Sequence, residues 1–155
     1  MKHLIKTSNS IIAALLALLG FSVSSCEEPR TEYGSPSVDF VVKGKVTSQE
    51  TKEPINKIAV LVSETAWDND TVFYQMDSVT TDANGNYYSK RTITSFADEH
   101  NYKIHFKDID GEENGLFNDS TVIVSTVKED YKGGNNHWYG GEATKELNIE
   151  LVPKQ

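Results

Sequence analysis

The chain has 155 residues, enough for one domain with a real core once a leader segment is set aside. Its 15 basic and 23 acidic side chains leave a formal charge of −8, and a field of that sign repels polyanions, which excludes nucleic-acid binding through phosphate contacts. Cys26 is the one cysteine, so no internal disulfide can form.

Residues 1–25 place Lys2 and Lys6 ahead of the apolar run Ile11-Ile12-Ala13-Ala14-Leu15-Leu16-Ala17-Leu18-Leu19-Gly20-Phe21. A membrane-spanning helix needs roughly 20 apolar residues, so this shorter run reads as the apolar region of a secretory signal peptide. Val23-Ser24-Ser25-Cys26 resembles the lipobox of bacterial prolipoproteins, in which small residues precede a cysteine whose thiol accepts a diacylglycerol. Lipidation of Cys26 is therefore expected, anchoring the protein in the outer membrane, with each buried methylene contributing roughly 0.8 kcal/mol. Loss of Lys2 and Lys6 with the signal leaves 13 basic and 23 acidic side chains, a charge of −10. Glu27 and Glu28, with no Asp directly after the cysteine, resemble the export signal of Bacteroidota lipoproteins exposed at the cell surface.

Residues 26–37 are polar, carry two prolines and a glycine, and read as a tether. Residues 38–155 form the expected domain, and period-two alternation dominates them. Phe40, Val42, Gly44 and Val46 alternate with Val41, Lys43, Lys45 and Thr47 in a first strand. A polar turn through residues 49–54 leads to Ile58-Ala59-Val60-Leu61-Val62, apolar on both faces and so a central strand. Residues 71–79 make a third strand. Asp82-Ala83-Asn84-Gly85-Asn86 is a turn, since Asn and Gly tolerate positive φ, and residues 87–91 leave it as a fourth strand. Residues 95–100 have the length for one helical turn. Tyr102, Ile104 and Phe106 then alternate with Lys103, His105 and Lys107, and residues 121–126 and 147–152 complete seven strands. The expected fold is an all-β, antiparallel β-sandwich.

Val42-Lys43-Gly44-Lys45-Val46, Pro54-Ile55-Asn56-Lys57-Ile58-Ala59-Val60 and Thr80-Thr81-Asp82-Ala83-Asn84-Gly85-Asn86-Tyr87 resemble, in that order, the carboxypeptidase-regulatory-like, transthyretin-like sandwich. Tyr33-Gly34-Ser35-Pro36, the strand Lys43-Gly44-Lys45-Val46, Asp108-Ile109-Asp110-Gly111-Glu112-Glu113-Asn114-Gly115 and Trp138-Tyr139-Gly140-Gly141-Glu142-Ala143-Thr144-Lys145 resemble the radical-SAM-associated lipoproteins. That narrower resemblance implies a radical SAM enzyme as partner and implies no activity. Transthyretin-like folds also include a hydroxyisourate hydrolase, but its terminal Tyr-Arg-Gly-Ser has no counterpart in Leu151-Val152-Pro153-Lys154-Gln155.

Four features bear on chemistry. Asp108, Asp110 and Asn114 offer oxygen ligands around a glycine turn, a candidate calcium site without the closing Glu of an EF-hand. His137, Trp138 and Tyr139 sit in a glycine-rich loop whose rings either stack on a sugar or a protein partner or fold back to cap the sandwich. Asp70-Thr71-Val72, Asp77-Ser78-Val79 and Asp119-Ser120-Thr121 resemble Bacteroidota O-glycosylation triplets. His100 and His105 lie five apart and face opposite ways if both are extended, with His105 on the polar face. No nucleophile elbow, zinc-protease motif or phosphate-binding loop occurs in residues 26–155. The expected function is a non-enzymatic binding module that contacts a glycan or an envelope protein and needs no cofactor beyond calcium. The alternative is a substrate of the radical SAM enzyme.

Overall fold

Among the described residues nine segments form strands, most of them by alternating apolar and polar side chains: β1 (Ser37–Ser48), β2 (Ile58–Ala66), β3 (Asn69–Thr80), β4 (Asn86–Thr94), β5 (Glu99–Asp108), β6 (Ser120–Val127), β7 (Lys132–Gly133), β8 (Tyr139–Glu146) and β9 (Ile149–Leu151). The computed structural model describes residues 34–66, 69–94, 99–135 and 137–154. The signal segment, Cys26 and the tether as far as Tyr33 lie outside the described residues. So do Ser95 to Asp98, which hold most of the expected helical turn; its last two residues, Glu99 and His100, are strand.

The nine strands form two sheets. In the first, β1 is the shared member: β4 runs antiparallel along one edge, and β8 and then β9 run parallel along the other, with β7 beyond β8. The second sheet is antiparallel throughout, in the order β3-β2-β5-β6. All seven expected strands are present. The sequence reading missed β7 and β8 and did not foresee the parallel pairing on β1, because Gly140 and Gly141 break the apolar alternation of β8. Residues 147–152 are also not one continuous strand. Leu147 and Asn148 form a jog in which Leu147 N donates to Lys43 O (2.8 Å) and Asn148 Oδ1 accepts from Lys45 N (2.8 Å). Gly44 sits under this jog, where a Cβ would collide with the Leu147 carbonyl, so the glycine is what permits one edge of β1 to serve two strands.

The core lies between the sheets. Phe40 of β1 stacks on Tyr102 of β5 with ring centroids 3.6 Å apart, and Tyr87 of β4 meets Phe106 of β5 edge to face at 5.6 Å. Val42, Val46, Ile58, Val60, Val62, Ile104 and Leu151 fill the space around them. A single extra residue shapes the second sheet. Val62 faces Asp77 while Ser63 faces Gln75, so Met76 is a β-bulge. Residues two apart normally share a face. Here Gln75 turns outward beside Ser63, while Asp77 reaches across the sandwich to accept a 2.5 Å hydrogen bond from Ser89 Oγ of β4.

The expected turn at residues 82–86 is formed and locked from within. Asp82 Oδ1 accepts from Asn84 N (2.8 Å) and Asn86 N (2.9 Å), and Gly85 takes a φ of +75°. Thr81, just before it, is buried. Its Oγ1 donates to Ile55 O (2.8 Å) and accepts from Ile58 N (3.0 Å), tying the start of β2 to the end of β3. Thr81→Val conserves the shape but leaves a buried N–H and carbonyl unpaired. It should lower the unfolding free energy by about 1–3 kcal/mol in urea titrations, whereas an unchanged midpoint would show that these bonds contribute nothing net.

Candidate functional site

Three groups of polar residues compete for the role of site. The first covers the outer face of β1 and its neighbours. Lys90 Nζ lies between Asp39 Oδ2 (3.0 Å) and Glu142 Oε2 (2.7 Å); Asp39 also accepts from Thr92 Oγ1 (2.6 Å) and Tyr139 OH (2.9 Å). Burial alone would raise the Asp39 carboxyl, but the hydrogen bonds from Thr92, Lys90 and Tyr139 and the Lys90 charge outweigh it and hold the group below its ordinary range. Lys90 is raised in turn by Glu142 and Asp39. Lys90, Asp39, Thr92, Tyr139 and Glu142 bond to one another across strands, and Glu142 also accepts from Thr144 of its own strand (3.1 Å), so the cluster clamps β4, β1 and β8 together.

The second group closes the end of the sandwich where β1 begins. Glu64 Oε1 and His100 Nδ1 are 2.6 Å apart, and Tyr131 OH lies 2.8 Å from Thr126 Oγ1 and 3.3 Å from Tyr102 OH. His100 is buried, and His105 lies on the opposite face of β5, as their odd spacing requires. Burial pushes the Tyr102 phenol far up, and its link to Tyr131 adds to the shift, so the Tyr102 hydroxyl is not a ready acid.

The third group is a groove of about 500 Å³ on the outer face of the second sheet, lined by Leu61 and Ser63 of β2, Phe73 and Gln75 of β3, Lys103 and His105 of β5, and Thr121 of β6. Alternation along β5 made Lys103 and His105 legible as one polar face. The contributions of β2 and β3 were not legible, because the bulge at Met76 sets which side of β3 turns outward. His105 Nδ1 lies 2.9 Å from Thr121 Oγ1, and its Nε2 is 3.5 Å from Asp119 Oδ2. The second distance exceeds a normal N–H···O bond, so the ring is oriented firmly from one nitrogen only. Lys103 Nζ stands 4.6 Å from the centroid of the Phe73 ring. Among the described residues, Ser63, Gln75 and Lys103 make no side-chain hydrogen bond or ion pair with the protein, so the groove has polar capacity left for a ligand.

The residues expected to bind ligand fall elsewhere. Asn135 Oδ1 accepts from His137 N (3.0 Å) and Tyr139 N (3.2 Å), folding the glycine-rich loop back on itself. Tyr139 belongs to β8, with its hydroxyl committed to Asp39. Trp138 is 41% exposed but lies over Gly34, where a Cβ would come within 2.9 Å of its Cγ, and its carbonyl accepts from Ser37 N (2.7 Å). The loop therefore caps the sandwich and pins residues 34–37, the end of the expected tether, to the domain. Asp108, Asp110 and Asn114 share one loop, but Asp108 uses both oxygens on backbone N–H groups, from Phe117 (2.9 Å) and Asp110 (3.3 Å), and Asn114 donates its amide to Asp110. Hydrogen bonds within the loop thus occupy oxygens that a calcium ion would need. No three His, Cys, Asp or Glu side chains among the described residues converge as metal ligands. Of the glycosylation-like triplets, Ser78 is exposed on β3 and Ser120 half-buried at the start of β6, while the side chain of Thr71 lies outside the described residues.

The class that this architecture defines is an all-β sandwich. Neither a protein-family model nor a curated protein matches the chain. Solved structures of related shape include transthyretin from Sparus aurata, 16% identical at a TM-score of 0.40 over 72% of this chain and 89% of that one. A 3-chlorocatechol 1,2-dioxygenase from Rhodococcus opacus 1CP is 10% identical at 0.47 over 81% of this chain and 62% of that one. The C-terminal domain of a shaft pilin from Lactobacillus rhamnosus GG is 11% identical at 0.39 over 75% and 98%. All three fall below a TM-score of 0.5, so the description as a sandwich rests on this chain's own strand pairing.

The Asp39 clamp has a pH signature. A carboxyl titrating below its unfolded value contributes stability that is fully present above about pH 4 and is lost as pH falls through the folded pKa. Asp39→Asn should be less stable than wild type near neutral pH in urea denaturation, with the gap narrowing below about pH 4. A gap that stays constant through that range would remove the electrostatic role.

Proposed function

We propose that the chain is a non-enzymatic binding module, lipid-anchored to the outer membrane through Cys26, that takes its ligand in the groove on the outer face of the β3-β2-β5-β6 sheet. The observation that carries this reading is the unspent polar chemistry of Ser63, Gln75 and Lys103 beside the apolar surfaces of Leu61 and Phe73. Anchoring is supported by the apolar run before Val23-Ser24-Ser25-Cys26. From Cys26 to Gly34 an extended chain reaches at most about 28 Å, which holds the domain close to the bilayer. The absence of enzymatic activity is supported by the loose coupling of His105 to Asp119 and by the commitment of Asp39, Glu64, Lys90 and Tyr139 to the protein's own strands. The second reading, modification by a partner radical SAM enzyme, is favoured by the resemblance carried by residues 33–36, 43–46, 108–115 and 138–145.

Two experiments separate these readings. Peptide masses from the native envelope, with and without the radical SAM enzyme, should show an N-terminal peptide that begins at a diacylglycerol-modified Cys26, with all other peptides unmodified. An unmodified Cys26 would remove the anchor, and an enzyme-dependent shift elsewhere would favour the second reading. Amide chemical shifts recorded while envelope polysaccharide is added should move around Ser63, Gln75 and Lys103. Movement confined to Trp138 and Tyr139 would relocate the site, and none at all would overturn the binding role for that polymer.

A further inference from the structure

Lys103 is a cation without a counter-ion among the described residues, held over the Phe73 ring at 4.6 Å. The chain as a whole carries a charge of −8, yet β5 turns Lys103, His105 and Lys107 toward one face, and Asp119, just before β6, lies 3.5 Å from His105. The groove is thus a locally basic surface on an acidic protein and suits an anion.

The backbone narrows the choice of anion. β2 is paired with β3 and β5, and β5 with β2 and β6, so the floor of the groove has no free backbone N–H or carbonyl edge on which an extended peptide could align. Side chains alone are on offer: one ammonium, the Gln75 amide and the Ser63 hydroxyl, next to Leu61 and Phe73. Amides and hydroxyls both donate and accept, which matches sugar hydroxyls, while apolar side chains match the C–H face of a pyranose ring.

We propose that this groove binds an acidic saccharide, with Lys103 taking the sugar carboxylate, Gln75 and Ser63 the ring hydroxyls, and Leu61 and Phe73 the apolar ring face. The assignment rests on the groove being the binding surface, and it adds the chemistry of the ligand.

Calorimetric titration of the full chain in detergent micelles with an oligogalacturonate, and with the neutral galactan oligomer of the same length, tests it. The acidic oligomer should bind saturably, at least about tenfold more tightly than the neutral one, and less tightly as salt is added. Lys103→Met should remove that preference, and Lys103→Arg, which keeps the charge, should retain much of it. Gln75→Ala should weaken both sugars. A melting temperature equal to wild type confirms that each variant is folded. Equal binding of the two oligomers, or an unchanged preference in folded Lys103→Met, overturns the acidic class while leaving the groove as a sugar site. No saturable binding of either sugar overturns the saccharide assignment, and the chemical-shift experiment then reports independently on whether the groove binds anything else.

Discussion

Every other strand of the first sheet except β7 pairs directly with β1. One twelve-residue strand therefore holds an antiparallel neighbour on one edge and two successive parallel neighbours on the other, and it also supplies Phe40, Val42 and Val46 to the core. Such a strand leaves little freedom in its sequence. The side chain is missing at Gly44 because the jog at Leu147 occupies that space, and the outward positions must either be covered or be paired. Asp39 is paired, and Val41, although on the outward side, is buried between Lys90 and Thr144 of the adjoining strands.

That constraint divides the labour between the two outer faces. On the first sheet, Asp39, Lys90, Thr92, Tyr139 and Glu142 satisfy one another across three strands, so their charges stabilise the sheet and offer little to a visitor. The second sheet needs no such clamp, because β2 and β5 are held by antiparallel ladders on both edges. Of its outward side chains, Ser63, Gln75 and Lys103 make no hydrogen bond or ion pair among the described residues, while His105 is tied to Thr121. The bulge at Met76 sharpens the difference by sending Asp77 inward to Ser89 and Gln75 outward to the groove.

Both ends of the sandwich are closed by their own residues. Where β1 begins, Trp138 covers Gly34 and Tyr131 bridges Thr126 and Tyr102, so the aromatic loop serves as closure. At the other end, Asp82 and Asp108 each cap the backbone of their own turns. Loops rich in Asp, Asn and Gly look like ligand sites in a sequence because the same atoms that bind a ligand can bind the loop itself, and here the loop takes them.

Much of the architecture was legible beforehand. Alternation exposed seven of the nine strands among the described residues, the Asp82–Asn86 turn followed from its Asn and Gly, and the odd spacing of His100 and His105 placed them on opposite faces. What escaped were short or glycine-broken strands such as β7 and β8, whose pairing partner supplies the order that their own residues do not encode. The composition and order of the residues by themselves determined an acidic, β-rich chain with a leader-like start and a distinctive lone cysteine. Only the tertiary structure decided that Trp138 and Tyr139 close the sandwich while Lys103, Gln75 and Ser63 face a shared groove. Hydrogen-bond partners far apart in the chain settle which polar groups are spent and which remain free, and no local pattern records that outcome.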